Sequence, residues 1–138
     1  MSDNNNGPIK VMIADDDPTS LMILETVVKS LGIETATAEN VAGANALFER
    51  FQPDIAILDV MLPDGDGVDI LRHIRKSKRR TAVAMISASL ADFPFHKCET
   101  DQPDKIFSKP FDPVTIRSWI EEQLKDMKKN GRRSCLFV

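Results

Sequence analysis

The fold is decided by one stretch of this 138-residue chain, Ile55-Ala-Ile-Leu-Asp59-Val-Met-Leu-Pro63-Asp64-Gly-Asp-Gly67. Its four consecutive apolar residues, 55–58, predict a strand buried on both faces, as strands of parallel sheets are. Asp59 ends the apolar run, and the proline, aspartates and glycines that follow predict a tight turn. The stretch therefore predicts an α/β protein with a carboxylate at the carboxyl end of a central strand.

On both sides of this stretch, strand and helix signals alternate. Further strands are predicted at Lys10–Ala14, Glu34–Ala38, Ala82–Ser87 and Lys105–Ser108, and amphipathic helices at residues 19–31, 41–51, 68–78 and 113–129. The connections are short, which is typical of a doubly wound parallel sheet with helices on both faces. Residues 90–102 are the weak point, because Pro94 removes a donor and no regular apolar period is present. A short or irregular helix is predicted there.

Composition limits the class of protein. With 42% hydrophobic and 28% charged residues, the chain suits one globular domain, predicted at residues 9–129 with flexible tails at 1–8 and 130–138. No apolar run is long enough to span a bilayer and the amino terminus is polar, so we expect a cytoplasmic protein that binds no membrane. The net charge of −3 argues against direct nucleic-acid binding. The basic clusters at 72–80 and 125–133 are interpreted as solvated helix ends.

The two cysteines suggest no metal or disulfide function. Cys98 and Cys135 are too few for a disulfide framework and match no metal-ligand spacing, so both are expected to be reduced. The last four residues, Cys135-Leu-Phe-Val138, also fit a prenylation box. Because a four-residue match is common by chance, a flexible tail is the preferred interpretation.

The carboxyl ends of the predicted strands carry the residues that suggest chemistry. Asp15 and Asp16 follow the first strand, Asp59 the third, Ser87 ends the fourth, and Lys109 follows the fifth. Ligands of open α/β sheets bind outside this edge. Three carboxylates, a hydroxyl and an ammonium are therefore predicted to converge on one pocket.

Such a cluster of carboxylates calls for a cation. Two carboxylates about 4 Å apart repel by roughly 4 kcal/mol at an effective dielectric of about 20. Oxygen ligands without histidine or cysteine favour Mg²⁺, with Mn²⁺ possible, over zinc, and Mg²⁺ commonly also holds phosphate oxygens. Phosphoryl transfer to a carboxylate is the chemistry that this pocket would support.

Four segments resemble the signature motifs of response-regulator receiver domains of the chemotaxis-regulator-like kind: Ile13-Ala-Asp-Asp-Asp17, residues 57–67, Ser87-Ala88 and Lys109-Pro-Phe111. The resemblance covers roughly residues 9–124. It implies a flavodoxin-like (βα)5 fold with strand order 2-1-3-4-5. It also implies a phosphoacceptor of a two-component system or phosphorelay, which receives a phosphoryl group from a histidine kinase or histidine phosphotransfer protein and signals to a downstream protein target by changing shape.

By position, the resemblance implies a role for each site residue. Asp59 is the implied phosphoacceptor. Asp15, Asp16 and Asp59, with the backbone carbonyl of Met61, are the implied Mg²⁺ ligands. Lys109 is implied as the counter-charge of the phosphate.

The remaining implied roles concern switching and lifetime. Ser87 is the implied switch hydroxyl, Met61 and Ser89 stand at positions that tune the phosphoryl lifetime, and the bond before Pro110 is expected to be cis. One position departs from the family. Ile106 stands where an aromatic switch residue is usual, and its neighbour Phe107 is expected to face the other side of the sheet.

Two other functions fit parts of the sequence. Asp15-Asp-Asp-Pro-Thr19 also matches the nucleophile motif of haloacid-dehalogenase-like phosphatases, but that alternative lacks a second acidic pair and leaves Asp59 without a role. A receiver-like interaction module that is never phosphorylated is the third alternative. We expect a regulator and not an enzyme, beyond self-catalysed phosphoryl transfer and autodephosphorylation.

Overall fold

The computed structural model describes residues 7–91, 93–98 and 101–130, so most of both predicted tails, and Cys135 with the prenylation-box match, lie outside it. None of the helices in these ranges is long and apolar enough to cross a membrane. The strands are β1 Lys10–Ala14, β2 Glu34–Ala38, β3 Ile55–Asp59, β4 Met61–Leu62, β5 Gly65–Asp66, β6 Ala82–Ser87 and β7 Lys105–Ser108. The α-helices are α1 Pro18–Lys29, α2 Val41–Phe51, α3 Gly67–Lys76 and α4 Pro113–Asn130.

Five of the strands form one parallel sheet in the order β2-β1-β3-β6-β7. The other two, β4 and β5, form a separate antiparallel hairpin directly after Asp59. Counted without the hairpin, the order is 2-1-3-4-5, so the predicted flavodoxin-like topology is confirmed. The hairpin was predicted only as a turn.

Alternation along the strands builds a separate core on each face of the sheet. On one face, Met12, Leu58 and Met85 pack with Phe48 of α2 and Leu71 of α3. On the other face lie Ile13, Ile57, Leu24 of α1, and Ile116 and Trp119 of α4. The central strands β3 and β6 are buried at every position, which explains their continuous apolar sequences.

Side-chain caps set the helix starts. Asp17 accepts a hydrogen bond from the amide of Thr19 at α1, and Asn40 accepts one from the amide of Gly43 at α2. Helix α3 covers residues 67–76 instead of the predicted 68–78, because Asp66 forms a capping box at its start and Ser77 caps its end in an extended conformation. Helix α1 likewise ends at Lys29, two residues before the predicted end.

The segment between β6 and β7 has no α-helix among its described residues. It contains a 3-10 helix at Phe95–Cys98, as the irregular sequence predicted. Phe93 and Cys98 are buried in the core cluster shared with α2 and α3. Arg72 of α3 donates to the carbonyl of Lys97 at 2.8 Å, and Arg75 to that of Gln102 at 2.8 Å. Arg72 and Arg75, two cations of the basic cluster at 72–80 that was predicted to be solvated, therefore hold this segment against α3.

A third cation of that cluster, Arg79, holds a buried carboxylate. Asp54 is 1% exposed, and its Oδ1 lies 3.2 Å from Nη2 of Arg79. The same side chain donates through Nε to the carbonyl of Pro53 at 3.0 Å, while Asp54 Oδ2 accepts from the amide of Lys10 at 3.0 Å. This pair ties the loop before β3 to the starts of β1 and β6.

Arg79→Met is expected to lower the free energy of unfolding by about 1–3 kcal/mol, because it leaves the charge of Asp54 buried with fewer partners. Urea denaturation at neutral pH measures the effect. Lys78→Met is the matched control, since Lys78 is an exposed neighbouring lysine. Equal midpoints for the two variants would contradict the structural role given to Arg79.

Candidate functional site

Three carboxylates meet at the carboxyl edge of the sheet. Asp15 follows β1, Asp59 ends β3, and one oxygen from each of Asp15, Asp16 and Asp59 lies within 4.8 Å of the others. Asp15 is 1% and Asp59 is 6% exposed, whereas Asp16 is open to solvent. The sheet topology therefore brings together the acidic residues that the sequence predicted as a group.

Lys109 lies between the two buried carboxylates. Its Nζ donates to Asp59 Oδ2 at 3.1 Å and lies 3.3 Å from Asp15 Oδ2. Asp15 Oδ1 accepts from the amide of Asp17 at 2.9 Å. Asp15 Oδ2, although buried and near the ammonium, is one of two buried side-chain atoms among the described residues without a hydrogen-bond partner. The site thus holds one cation for two buried anions, and Asp15 Oδ2 has an ion-pair contact with Lys109 but no hydrogen bond.

Burial and crowding change the acidity of this group. Burial, and next the negative charge of Asp15, raise the pKa of Asp59 to about 6, although Lys109 opposes the rise. The pKa of Lys109 is also raised, because its contacts with Asp59 and Asp15 outweigh the lowering by burial. At neutral pH the ammonium stays charged and Asp59 is mostly ionised.

We expect Asp59→Asn to stabilise the metal-free protein at neutral pH and not at pH 4. The pKa of Asp59 is raised to about 6 by folding, so the native state binds this proton more tightly than the unfolded state does. The free energy of unfolding gained from this proton is fully present below the pKa of Asp59 in the unfolded chain, and it is lost as the pH rises through about 6. A rise of the pKa from 3.8 to about 6 corresponds to about 3 kcal/mol with the opposing contact of Lys109 already included, and solvent screening at this partly open site reduces the effect to about 1–2 kcal/mol.

Urea denaturation in EDTA at pH 4 and at pH 7.5 measures this difference. The stabilisation by asparagine should grow across that range. A constant difference between the two proteins would show that Asp59 titrates normally in the folded state.

The hairpin after Asp59 places Met61 beside the carboxylate. The amide of Met61 donates to Asp59 Oδ1 at 3.3 Å, while its side chain is 73% exposed. Gly67 closes the base of the hairpin, with its amide 2.8 Å from the carbonyl of Val60, the residue after β3. A Cβ atom at Gly67 would lie 2.3 Å from the Asp59 carbonyl oxygen, so only glycine allows this close approach.

The predicted switch residues have the following positions. Ser87 is buried at the end of β6; its hydroxyl donates to the Ser89 carbonyl at 2.8 Å and accepts from the Ser89 amide at 3.2 Å. Ile106 packs against the α2–α3 core cluster, and Phe107 packs edge-on against Trp119 on the opposite face. The expected orientation of Phe107 is therefore confirmed. The Lys109–Pro110 peptide bond is cis.

Sequence patterns missed the contacts that hold the hairpin. Both carboxylate oxygens of Asp64 accept backbone amides at the start of α2, from Val41 at 2.6 Å and Ala42 at 3.0 Å. Lys97, from the irregular segment, donates to Asp66 at 2.7 Å. These partners are separated by 22 to 31 residues in the sequence, so no local motif predicts such pairs.

The cluster fits a divalent cation that prefers oxygen ligands. Its donors are carboxylates, one buried oxygen of Asp15 has no hydrogen-bond partner, and the exposed Asp16 leaves a path from solvent. These properties favour Mg²⁺ or Mn²⁺ over zinc.

The chain belongs to the response regulator receiver domain family, whose sequence model matches residues 11–121. It is 31% identical over 107 residues to the transcriptional regulatory protein TrcR of Mycobacterium tuberculosis, covering 78% of this chain and 42% of that protein. It is 37% identical over 79 residues to the response regulator protein PilR of Pseudomonas aeruginosa, covering 57% of this chain and 18% of that one. The chain thus spans less than half the length of these two relatives.

Solved structures show the same fold. The CheY-like response regulator receiver domain protein of Methanospirillum hungatei matches with a TM-score of 0.79 at 22% identity, over 91% of this chain and 100% of that one. With the family match, this identifies the chain as a receiver domain of the two-component response-regulator class.

Proposed function

We propose that Asp59 accepts a phosphoryl group with the help of Mg²⁺ held by Asp15, Asp16, Asp59 and the backbone carbonyl of Met61. The observation that carries this proposal is the position of Lys109, whose ammonium contacts both buried carboxylates while one oxygen of Asp15 has no hydrogen bond. A site that only stabilised the fold would not need two buried anions beside one cation.

The transfer is a displacement at phosphorus. An anionic oxygen of Asp59 forms the new O–P bond as the P–N bond to a donor phosphohistidine breaks, and the leaving imidazole takes a proton from solvent. When bound, the cation supplies positive charge to the phosphoryl oxygens. Lys109, already 3.1 Å from Asp59 Oδ2, supplies a second positive charge and orients the carboxylate.

Signalling requires Ser87 to exchange partners. Its hydroxyl is held by the backbone of Ser89, and contact with a phosphoryl oxygen would break that bond and release residues 88–89. We assign Met61 and Ser89 the control of water access and hence of autodephosphorylation; the Met61 amide contacts Asp59, and the Ser89 backbone contacts Ser87. Ile106 gives the switch an aliphatic residue in place of an aromatic one.

The donor is a histidine kinase or a histidine phosphotransfer protein, and the domain at residues 9–129 passes the signal on through protein contacts. The two similar regulators are longer, so output by further domains of a longer chain fits the same scheme. The alternative phosphatase mechanism would use Asp15 as nucleophile. It is disfavoured because Asp15 is 1% exposed, less than Asp59, and because it leaves Asp59 without a role.

Intact-mass analysis tests the proposal. The protein is incubated with acetyl phosphate or a phosphoramidate, with Mg²⁺ or with EDTA, and peptide fragmentation locates the adduct. A single Mg²⁺-dependent phosphate on Asp59 is expected. No adduct with any donor would leave the interaction module as the better account.

A further inference from the structure

The hairpin beside Asp59 connects the site to residues 88–104. Within it, Met61 of β4 pairs with Asp66 of β5, and the Met61 amide donates to Asp59 Oδ1 at 3.3 Å. Asp66 is also the N-cap of α3, where its Oδ1 accepts the amide of Val68 at 3.0 Å. Its second oxygen, Oδ2, is left for another partner.

That partner is Lys97, in the 3-10 helix between β6 and β7. Its Nζ donates to Asp66 Oδ2 at 2.7 Å. Its main chain is fixed separately, because the Lys97 carbonyl accepts from Arg72 of α3 at 2.8 Å. The hydrogen bond and charge of Asp66 raise the pKa of Lys97, so the ammonium is charged at neutral pH. One residue thus joins the irregular segment to both α3 and the hairpin.

We infer that Lys97 is a positioning residue of the site, which fixes the hairpin through Asp66 and Met61 and carries the state of Asp59 to residues 88–104. The second half of this inference rests on the proposed function. The first half, that Lys97 holds the hairpin, depends only on the contacts described above.

Two observations favour this polar connection from Asp59 to residues 88–104. A helix packed on the sheet could transmit a change through its apolar face, but this segment has only the four-residue 3-10 helix at Phe95–Cys98 among its described residues. Ile106, which packs on the same core cluster as Phe93 and Cys98, can follow a change at Asp59 only through apolar packing. The ion pair between Lys97 and Asp66 reaches closer to Asp59, because Asp66 pairs in the hairpin with Met61, which is two residues after Asp59.

The alternative is that this is an ordinary surface ion pair. The side chains of Lys97 and Asp66 are 42% and 20% exposed, and exposed pairs contribute little to global stability. Denaturation midpoints would therefore not distinguish the two possibilities. The rate of local opening of the hairpin would distinguish them, because an ion pair that positions the hairpin must slow its opening.

Hydrogen–deuterium exchange of the full chain is the test, with three variants. Lys97→Met removes the ammonium and keeps an unbranched side chain. Asp66→Asn removes the carboxylate charge and keeps a good helix cap. Lys76→Met is the matched control, because Lys76 is an exposed lysine in the last turn of α3, at the opposite end of that helix from Asp66.

Without ligand, amides of residues 61–66 should exchange about two- to fivefold faster in Lys97→Met and Asp66→Asn than in wild type or Lys76→Met. With Mg²⁺ and beryllofluoride, a phosphoryl analogue, exchange in residues 88–104 should change in wild type and in Lys76→Met. The same ligand should leave that segment unchanged in the other two variants, although mass analysis shows the analogue bound.

Unchanged hairpin exchange in Lys97→Met would overturn the positioning role whether or not the protein is phosphorylated. A ligand-induced change of wild-type size at residues 88–104 in that variant would overturn the coupling. Failure of wild type to bind the analogue would instead count against the proposed function, and with it against the coupling, while the ligand-free comparison still decides the positioning role.

Discussion

Asp59→Asn is expected to abolish the Mg²⁺-dependent phosphoryl adduct, whereas Asp15→Asn should slow its formation without preventing it. An amide oxygen is a poor nucleophile toward phosphorus, so asparagine at position 59 removes the acceptor itself. In the proposed mechanism Asp15 supplies charge for the cation; it also lies 3.3 Å from Lys109, so its loss should lower the rate by about 10–100-fold. Time-resolved intact-mass analysis with acetyl phosphate measures both effects.

Glu122→Gln is the control for this pair, because Glu122 is an exposed acid on α4 and should react like wild type. The opposite assignment of the two aspartates would be recognised by phosphatase activity. If Asp59→Asn still hydrolysed phosphate esters and Asp15→Asn did not, Asp15 would be the nucleophile and the phosphatase alternative would replace the phosphoacceptor.

Lys109→Met is expected to lower the rate of adduct formation by about 100-fold, within the range seen when a group that stabilises developing charge is removed. Mg²⁺ binding, in contrast, should not be weakened by this substitution. Lys109 lies 3.1 Å from Asp59 and 3.3 Å from Asp15, so it competes with a cation for the same oxygens. Mg²⁺ affinity, measured by calorimetry, should therefore not fall when the ammonium is removed.

The stability of Lys109→Met gives a second measure. Without the ammonium, two buried carboxylates face each other, and the protein should lose about 2–4 kcal/mol at pH 8. The loss should shrink near pH 5, where Asp59, whose pKa is already raised to about 6, takes up a proton. Lys105→Met, at the opposite end of β7 from Lys109, should change neither rate nor metal affinity. A parallel loss of rate and Mg²⁺ affinity in Lys109→Met would instead make Lys109 part of the metal site's framework.

The sequence was informative wherever one physical requirement dominated. The apolar runs of β3 and β6 could only be strands with both faces covered, and Asp17 and Asn40 cap the helices that they precede. Because parallel strands present their carboxyl ends at one edge, placing Asp15, Asp59 and Lys109 at strand ends was enough to gather them at one site, with Ser87 at the same edge of the sheet.

The same reasoning was less accurate where tertiary contacts outweigh local pattern. Residues 77–78 continue the helical pattern of α3, yet Ser77 ends the helix in an extended conformation. The basic cluster at 72–80 was interpreted as solvated, but Arg72, Arg75 and Arg79 each donate to a distant carbonyl. An arginine that holds a loop has the same sequence signature as one that faces water.

By itself, then, the sequence determined the alternating α/β architecture, the strand ends that carry the site, and the family to which the chain belongs, because periodicity and motif order are local properties. Only the tertiary structure decided that Lys109 lies between two buried carboxylates, that Asp15 keeps an oxygen without a hydrogen bond, and that Lys97 reaches the hairpin through Asp66. The physical reason is that charge interactions and hydrogen bonds depend on distances of a few ångströms between residues far apart in the chain, and no local pattern records those distances.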